Sequence, residues 1–285
     1  MKLIRFSSQA GGAFRLGIET GDNVCDLSSR FMTIRQFFEA YPDGWNETSL
    51  DLASLPSLPR NKVHVGAPVD DGAGVYLVGA NYRKHAEEAG LDVPEIPVIF
   101  MKPTTALVGP GEPIRLPPIS KQMDYEGELA VVIGRAATRV SKLDAPKHVA
   151  GLTIVNDVTA RDLQWVQLGK NRIVDWISSK ALDRSTPVGP GIVSVQAAGD
   201  MHRLKLKTWL NADLMQDSDT SLMVFSVFDL IEFLSARLTL RPGDIISTGT
   251  PYGVGGFRKI FLKQGDVLRV EVETVGVLQN PVVDA

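Results

Sequence analysis

Short apolar runs, separated by turns rich in glycine and proline, recur along most of this chain. Residues 75–80 and 151–157 have the length and apolar content typical of buried strands, and residues 267–272 alternate like a strand with one solvated face. Helical spacing is rarer and covers residues 33–41, residues 143–149 and the segment after Ser226, which begins with a capping box. Strands outnumber helices without regular alternation, which predicts a β-rich α+β fold rather than a doubly wound sheet.

We predict two units that meet near residue 70. Residues 1–70 combine short strand-like runs with one short helix, and no residue among them suggests chemistry. This part ends in residues 55–60, whose two prolines resist both a helix and a central strand, so this stretch is predicted to be a linker. We therefore expect a small N-terminal α/β module over residues 1–70 and a larger domain with the candidate chemistry over residues 71–285.

Composition and charge exclude several classes of partner. The chain has 285 residues, with 30 basic and 33 acidic side chains and a net charge of −3, so nothing favours nucleic acid as a partner. No apolar stretch approaches the roughly 20 residues needed to span a bilayer, and none has the pattern of a signal peptide. The single cysteine, Cys25, excludes an intrachain disulfide and fits a reducing compartment. We expect a cytoplasmic protein without a membrane partner.

Three carboxylates form the first candidate site. Glu126 and Glu128 lie two apart at the start of a predicted strand, so their side chains share one face, and Asp157 ends another apolar strand. If that face is buried, the carboxylates need a cation or a proton between them. Oxygen ligands suit Mg²⁺, Mn²⁺ or Ca²⁺ better than zinc. The alternative is that Glu126 and Glu128 lie on the solvated face of an exposed strand.

His85 and Glu88 form a second candidate pair. On a helical turn, residues three apart are neighbours, so Glu88 is placed to hold the imidazole of His85 and to raise its basicity. Such a pair can take a proton from water. The alternative is an ordinary pair on the surface of a helix.

Polar residues after Asp157 form a third candidate group. The segment 158–180 is predicted to be a polar loop, and its Arg161, Gln164 and Lys180 suit an anionic substrate; the alternative is that they are solvated. Residues 248–256 are rich in glycine and can offer backbone N–H groups to a carboxylate. They lack the Gly-Lys-Ser/Thr of a phosphate loop, so a nucleotide site is disfavoured.

Taken together, these motifs resemble the fumarylacetoacetate hydrolase family. They occur in the family's order and cover most of residues 75–256. The matching runs are Asn81-Tyr82-x-x-His85-Ala86-x-Glu88, Asp124-Tyr125-Glu126-x-Glu128-Leu129-Ala130, Asn156-Asp157-Val158-Thr159-Ala160-Arg161-Asp162-Leu163-Gln164, Ser179-Lys180-Ala181-Leu182-Asp183, Pro187-Val188-Gly189-Pro190, Leu240-Arg241-Pro242-Gly243-Asp244 and Thr248-Gly249-Thr250-Pro251-x-Gly253-Val254-Gly255.

The resemblance implies a mixed β-sandwich roll, a homodimer and a role for each site residue. A divalent cation, Mg²⁺ or Mn²⁺ with Ca²⁺ as a third choice, would bind Glu126, Glu128 and Asp157. The remaining implied roles fall into two sets. The catalytic set comprises His85, Glu88 and Lys180. In this set, His85 and Glu88 lie on a segment that acts as a lid, and together they activate water. The substrate-binding set comprises Tyr82, Arg161, Gln164, Lys180 and Thr250.

The implied reaction is the metal-dependent hydrolysis of a C–C bond in an acylpyruvate-like or fumarylpyruvate-like β-diketo acid, which yields pyruvate and a second acid. Decarboxylation of an oxaloacetate-type acid and isomerisation of an oxo-diene-dioate are alternatives, because all three reactions pass through a stabilised enolate. An alternative of another class is a carboxylate-binding protein that keeps the metal site without catalysis.

The resemblance has one visible departure, and it leaves one residue open. Where the family often has Gly-Lys-Ser-Phe-Asp, this chain has Ser179-Lys180-Ala181-Leu182-Asp183. The lysine is retained, but its neighbours differ, and we expect the substrate preference to differ with them. The sequence also leaves open whether Asp124 is a metal ligand, a support for a ligand or a cap.

Overall fold

The computed structural model describes residues 1–9 and 11–285, and strands dominate it. The strands are β1 (Lys2–Ser7), β2 (Arg15–Thr20), β3 (Asn23–Asp26), β4 (Ser57–Pro59), β5 (His64–Gly66), β6 (Val75–Gly79), β7 (Val98–Met101), β8 (Leu107–Val108), β9 (Ile114–Leu116), β10 (Met123–Asp124), β11 (Gly127–Ile133), β12 (Val149–Asn156), β13 (Thr159–Ala160), β14 (Trp165–Leu168), β15 (Asn171–Val174), β16 (Thr186–Ser194), β17 (Lys205–Leu210), β18 (Asp213–Asp219), β19 (Ile245–Ser247), β20 (Val267–Val272) and β21 (Gly276–Asp284).

The helices are short. The α-helices are α1 (Ile34–Ala40), α2 (Glu47–Leu50), α3 (Arg83–Glu88), α4 (Trp176–Lys180), α5 (Val195–Ala198), α6 (Val227–Ser235) and α7 (Gly255–Arg258). Single 3₁₀ turns cover Leu52–Ser54, Arg60–Lys62, Thr104–Ala106, Ala145–His148, Arg161–Leu163 and Thr220–Leu222. In the described part of the chain, no helix is long and apolar enough to cross a membrane.

One large mixed sheet organises the molecule. Among the described residues, twelve strands join it in the order β4-β3-β2-β1-β16-β12-β11-β19-β6-β7, with β5 added to β1 and β8 to β16. Every residue of β11 is buried, because its neighbours pair with both of its edges and packed layers cover both of its faces. The continuous apolar run in the sequence of this strand is typical of a strand that is buried on both faces.

A second sheet, in the order β18-β17-β20-β21-β9, packs against the centre of the first. Leu129 and Ile154 of the large sheet share one apolar core with Leu206 and Val270 of the second. Helix α6 closes the same core with the apolar face that begins at Val227. The prediction of a β-rich α+β fold with a mixed β-sandwich roll is confirmed.

The first 66 residues extend the large sheet. Strand β1 pairs antiparallel with β16, and Phe37 and Phe38 of α1 lie in one core with Val132 and Ile245. The predicted helix over residues 33–41 is confirmed as α1, capped by the side chain of Thr33. The boundary near residue 70 stays a prediction.

Three segments differ from the sequence-based expectation. Residues 55–60, predicted to be a linker, contain β4, which pairs with β3 at the edge of the sheet, where proline is tolerated. The predicted helix over residues 143–149 is only a 3₁₀ turn, since Val149 already begins β12. The predicted loop over residues 158–180 contains the hairpin β14–β15 and helix α4.

Candidate active site

Strand pairing brings the three candidate metal ligands together. Glu126 and Glu128 flank the first residue of β11, and Asp157 follows the last residue of β12, where Gly127 lies opposite Asn156. One carboxylate oxygen from each of the three lies within 4.8 Å of the others. Glu126 is 5% exposed, Glu128 1% and Asp157 0%, which excludes the alternative of an exposed strand.

Two buried lysines contact these carboxylates. Lys180 donates a hydrogen bond to Glu126 Oε2 at 2.7 Å and a second, short one to Asp157. Lys102, also buried, places its Nζ 2.7 Å from Asp157 Oδ1. Burial opposes the charge on Glu126, but Lys180 and then Arg161 outweigh it and hold the pKa of Glu126 well below its ordinary value.

Glu128 is in a different electrostatic environment. Its Oε2 accepts hydrogen bonds from Ser247 Oγ at 2.5 Å and from the backbone N–H of Gly249 at 2.9 Å. Burial, and then the charges of Asp157 and Glu126, raise its pKa well above the ordinary value of a glutamate. A cation beside Glu128 would relieve the repulsion that causes this shift.

The donor set therefore fits a hard divalent cation. Four buried carboxylates meet in this site, those of Asp124, Glu126, Glu128 and Asp157. Among the described residues, the Lys and Arg side chains in contact with them are Lys102, Arg161 and Lys180. This leaves one carboxylate without a countercharge. In addition, Asp157 Oδ1 is buried and accepts no hydrogen bond of good geometry from the residues that the structure describes. Oxygen ligands with an excess of negative charge are what Mg²⁺ and Mn²⁺ prefer.

His85 and Glu88 lie together on α3, as the i,i+3 spacing predicts. His85 Nδ1 is 3.6 Å from Glu88 Oε2, and Glu88 also accepts the backbone N–H of Gly253 at 3.0 Å. Burial favours the neutral acid, but the nearby imidazole of His85 and the hydrogen bond from Gly253 outweigh it and lower the pKa of Glu88. The buried Asn81 holds the start of this helix, since its side chain donates to Thr248 O at 2.7 Å.

Asp124, which the sequence left open, supports Arg161. Its Oδ2 accepts Arg161 Nε at 2.8 Å, and its two oxygens accept the backbone N–H groups of Gly255 and Gly256 at 2.7 and 2.9 Å. The other arm of Arg161 donates to Glu126 at 2.5 Å. Asp124 therefore fixes the guanidinium against Glu126, and its own oxygens are fully engaged.

The glycine-rich segment 248–256 does offer backbone N–H groups to carboxylates, but the carboxylates belong to the protein. Gly249 donates to Glu128, Gly253 to Glu88, and Gly255 and Gly256 to Asp124. Thr250 Oγ1 donates to the backbone carbonyl of Gly127 at 3.1 Å. This segment thereby ties α3 to the strand that carries Glu126 and Glu128.

These residues surround a cavity of about 580 Å³. Among the sequence-predicted site residues, those that line it are His85, Glu126, Arg161, Gln164, Lys180 and Thr250. Glu88, Glu128 and Asp157 lie behind this lining: Glu88 is 3.6 Å from His85, and oxygens of Glu128 and Asp157 lie within 4.8 Å of one from Glu126. Tyr82 is different: it is 2% exposed, is absent from the lining, and its hydroxyl has no hydrogen-bond partner among the described residues. The functional roles of all these residues stay predictions.

Sequence reasoning missed Lys102 and the aromatic residues of the cavity. Lys102 follows the apolar run of β7 and precedes a proline. The only sequence feature that could have indicated a place in the site was this single charge at the end of an apolar strand. Phe100 and Trp176 line the cavity but are 76 positions apart in a chain whose apolar residues are mostly structural.

The comparisons with known proteins agree with this geometry. The family model for the C-terminal domain of fumarylacetoacetate (FAA) hydrolase matches residues 74–283. A relative from Bos taurus, the mitochondrial oxaloacetate tautomerase FAHD2B, is 42% identical over 99% of this chain and 92% of its own length. The human mitochondrial oxaloacetate tautomerase FAHD2A is 39% identical over the same shares.

Solved structures of several enzymes share the fold over essentially the whole chain. Maleylpyruvate hydrolase from Sphingobium sp. SYK-6, solved in complex with manganese(II) ion and pyruvate, has a TM-score of 0.80 at 29% identity and covers 100% of both chains. The 2-hydroxyhepta-2,4-diene-1,7-dioate isomerase from Mycobacterium marinum has a TM-score of 0.76 at 35% identity, with 100% and 98% covered. The family match, the full-length identities and the shared fold lead to one conclusion: this chain belongs to the fumarylacetoacetate hydrolase family.

Proposed function

We propose that this protein is a divalent-metal-dependent enzyme that enolises 2-oxo acids, and that its reaction is the keto–enol tautomerisation of an oxaloacetate-type substrate. The observation that carries the proposal is the meeting of a candidate base, His85, with Lys180 and the buried carboxylates around one cavity. The 42% identity with an oxaloacetate tautomerase over 99% of the chain supports the choice of reaction.

Each residue has a stated task in this proposal. A Mg²⁺ or Mn²⁺ ion held by Glu126, Glu128 and Asp157 would supply Lewis-acid polarisation of the 2-oxo group. Lys180 brings a fixed positive charge to the same end of the cavity, where negative charge develops on the substrate oxygen. Since Nδ1 of His85 faces Glu88, its Nε2 is the nitrogen left to take the proton from the carbon next to the 2-oxo group. The enolate oxygen then takes a proton from water, which gives the enol, and the reverse transfers restore the ketone.

Hydrolysis of a C–C bond in an acylpyruvate remains the second candidate function. The specific observation in its favour is the His85–Glu88 pair, which can activate water as well as remove a carbon-bound proton. The fold shared with a maleylpyruvate hydrolase supports it. Decarboxylation of oxaloacetate uses the same enolate and differs in releasing CO₂.

One set of assays tests these reactions against each other. The purified protein with added Mg²⁺ or Mn²⁺ is given oxaloacetate, an acylpyruvate and an oxo-diene-dioate, and enol absorbance, pyruvate and CO₂ are followed separately. We expect faster equilibration of enol and keto oxaloacetate without CO₂ release. Release of pyruvate and a second acid from acylpyruvate, with no effect on oxaloacetate, would replace tautomerisation by hydrolysis. No turnover of any of them would favour a non-catalytic metal site.

Assembly and location also stay predictions. A homodimer is proposed from the sequence resemblance, and size-exclusion chromatography with light scattering tests it. The sequence predicts a cytoplasmic protein, whereas the relatives from cattle and human are named as mitochondrial.

A further inference from the structure

The outer part of the cavity is lined by apolar side chains for which the proposed function has no use. Phe100, Trp165, Val174, Trp176 and Leu91 all face this space. They come from β7, the hairpin β14–β15, the N-terminal end of α4 and the segment after α3. Elements far apart in the chain thus combine to form one apolar wall.

This apolar wall begins directly beside the reacting end. Lys180 Nζ lies 4.9 Å from the centroid of the Phe100 ring. Phe100 in turn stacks flat on Trp176, with ring centroids 4.4 Å apart and planes inclined by 2°. A substrate whose 2-oxo acid end reaches Lys180 therefore directs the rest of its carbon chain along this aromatic pair.

The charges around the cavity disfavour an anionic group at that outer end. Among the described residues that line the cavity, the Lys and Arg side chains are Lys180 and Arg161, and both are paired with carboxylates of the inner end. Asp92, which also lines the cavity, adds a negative charge. A carboxylate placed along the apolar wall would lose its hydration without gaining a cation.

We propose that this site favours 2-oxo acids that carry a bulky apolar group, an aryl ring or a branched alkyl chain, at the end away from the carboxylate. The inference rests on the proposed function for the identity of the reacting end. Oxaloacetate has only four carbons and leaves most of the 580 Å³ cavity to water. An apolar group there replaces this water and packs on the face of an aromatic side chain.

A binding experiment tests the substrate class without requiring turnover. Oxamate and N-phenyloxamate present the same 2-oxo acid end and differ in the aryl group, and their affinities for the protein with Mg²⁺ are measured by calorimetry. We expect N-phenyloxamate to bind at least about tenfold more tightly, because a buried apolar group has an effect of that order. Equal affinities, or tighter binding of oxamate, would overturn the proposal.

Variants of α4 locate the effect. Trp176→Ala should remove most of the preference for N-phenyloxamate and leave oxamate affinity within about threefold, while Trp176→Phe should keep part of it. Ile177→Ala is the matched control, since Ile177 is the next residue of the same helix, is 69% exposed and does not line the cavity. An equal loss for both ligands in Trp176→Ala would mean that Trp176 only positions Lys180, and would contradict the proposal.

Turnover separates this inference from the proposed function. Phenylpyruvate and oxaloacetate are compared as substrates for tautomerisation. Activity on oxaloacetate with no preference for the aryl ligand would retain the proposed function and remove the apolar specificity. Tight binding of N-phenyloxamate with no turnover of either acid would retain the apolar specificity and remove the proposed function.

Discussion

At the scale of single residues, the site is a cluster of buried charge in which three of the four carboxylates contact a Lys or Arg side chain. Lys102 and Lys180 contact the two oxygens of Asp157, and Arg161 bridges Asp124 and Glu126. A buried ion pair contributes little net stability, but removal of one partner leaves an uncompensated charge and costs about 3–5 kcal/mol. Replacing any one of these side chains should therefore cost more stability than its ion pair contributes to the folded protein.

His85→Ala should lower turnover by roughly 10²–10⁴-fold, the usual contribution of a positioned acid or base. Metal affinity should stay within about threefold of the wild-type value, because the proposed ligands of the ion are carboxylates and His85 is not one of them. Turnover is measured with oxaloacetate and with an acylpyruvate, and Mg²⁺ or Mn²⁺ affinity by calorimetry. Glu87→Gln is the control, since Glu87 is an exposed neighbour on the same helix. Unchanged turnover in His85→Ala would remove this residue from the reaction.

Lys102→Met should destabilise the metal-free protein by about 3–5 kcal/mol, because Asp157 loses a buried countercharge. Added Mg²⁺ should restore part of this loss, so the rise in Tm with Mg²⁺ should be larger in the variant than in the wild type. Thermal unfolding with and without Mg²⁺ measures both effects. Lys121→Met, at an exposed lysine, is the control. An equal or smaller rise in the variant would show that Lys102 does not share Asp157 with a cation.

At the scale of elements, the site is built on the start of β11. Gly127 lies between Glu126 and Glu128, and a Cβ at this position would collide with Thr208 Oγ1 and lie 3.0 Å from Val270 Cγ1. Because glycine has no side chain, the second sheet can pack closely against β11, and this packing fixes the position of β11. The alternation of the strand then directs both glutamates to the opposite side, toward Asp157.

Gly127→Ala should destabilise the protein by about 1–3 kcal/mol, the usual effect of overpacking. It should also weaken metal binding, because the shift needed to relieve the collision moves both glutamates. Denaturant unfolding and calorimetry with Mn²⁺ measure the two effects. Gly79→Ala is the stability control, since a Cβ there meets its nearest atoms at 3.7 Å or more. Wild-type stability and metal affinity in Gly127→Ala would show that the sheets tolerate a side chain at this position.

At the scale of the whole molecule, the three candidate ligands join β11 to β12 in the centre of the large sheet. An ion that binds only the folded state stabilises it by mass action. We therefore expect Mg²⁺ and Mn²⁺ at about 100 times their Kd to raise the free energy of unfolding by roughly 2.7 kcal/mol, and EDTA to reverse this.

Glu128→Gln should greatly reduce that metal-dependent stabilisation. The amide has nearly the same shape but cannot neutralise the ion, so the variant should remain folded and lose affinity. Differential scanning calorimetry over a series of metal concentrations gives the measurement. A wild-type response to metal in Glu128→Gln would exclude Glu128 as a ligand.

The sequence alone determined the fold class and the local placement of the candidate site residues. The apolar runs predicted the buried strands, because a strand covered on both faces has no solvated positions to alternate with. The spacing of Glu126 and Glu128 predicted a shared face, and the i,i+3 spacing predicted the His85–Glu88 contact. These features depend on local geometry, which is set by residues close in the chain.

Tertiary structure decided what depends on contacts between distant segments. Only the register of β11 and β12 brought Asp157 to the glutamates, and only packing showed that Lys102 contacts Asp157 and that Asp124 supports Arg161. The same holds for Tyr82, which the fold buries away from the cavity lining, and for the wall formed by Phe100 and Trp176. A single sequence encodes such pairings only through the whole fold, because their energy depends on burial and distance rather than on neighbouring residues.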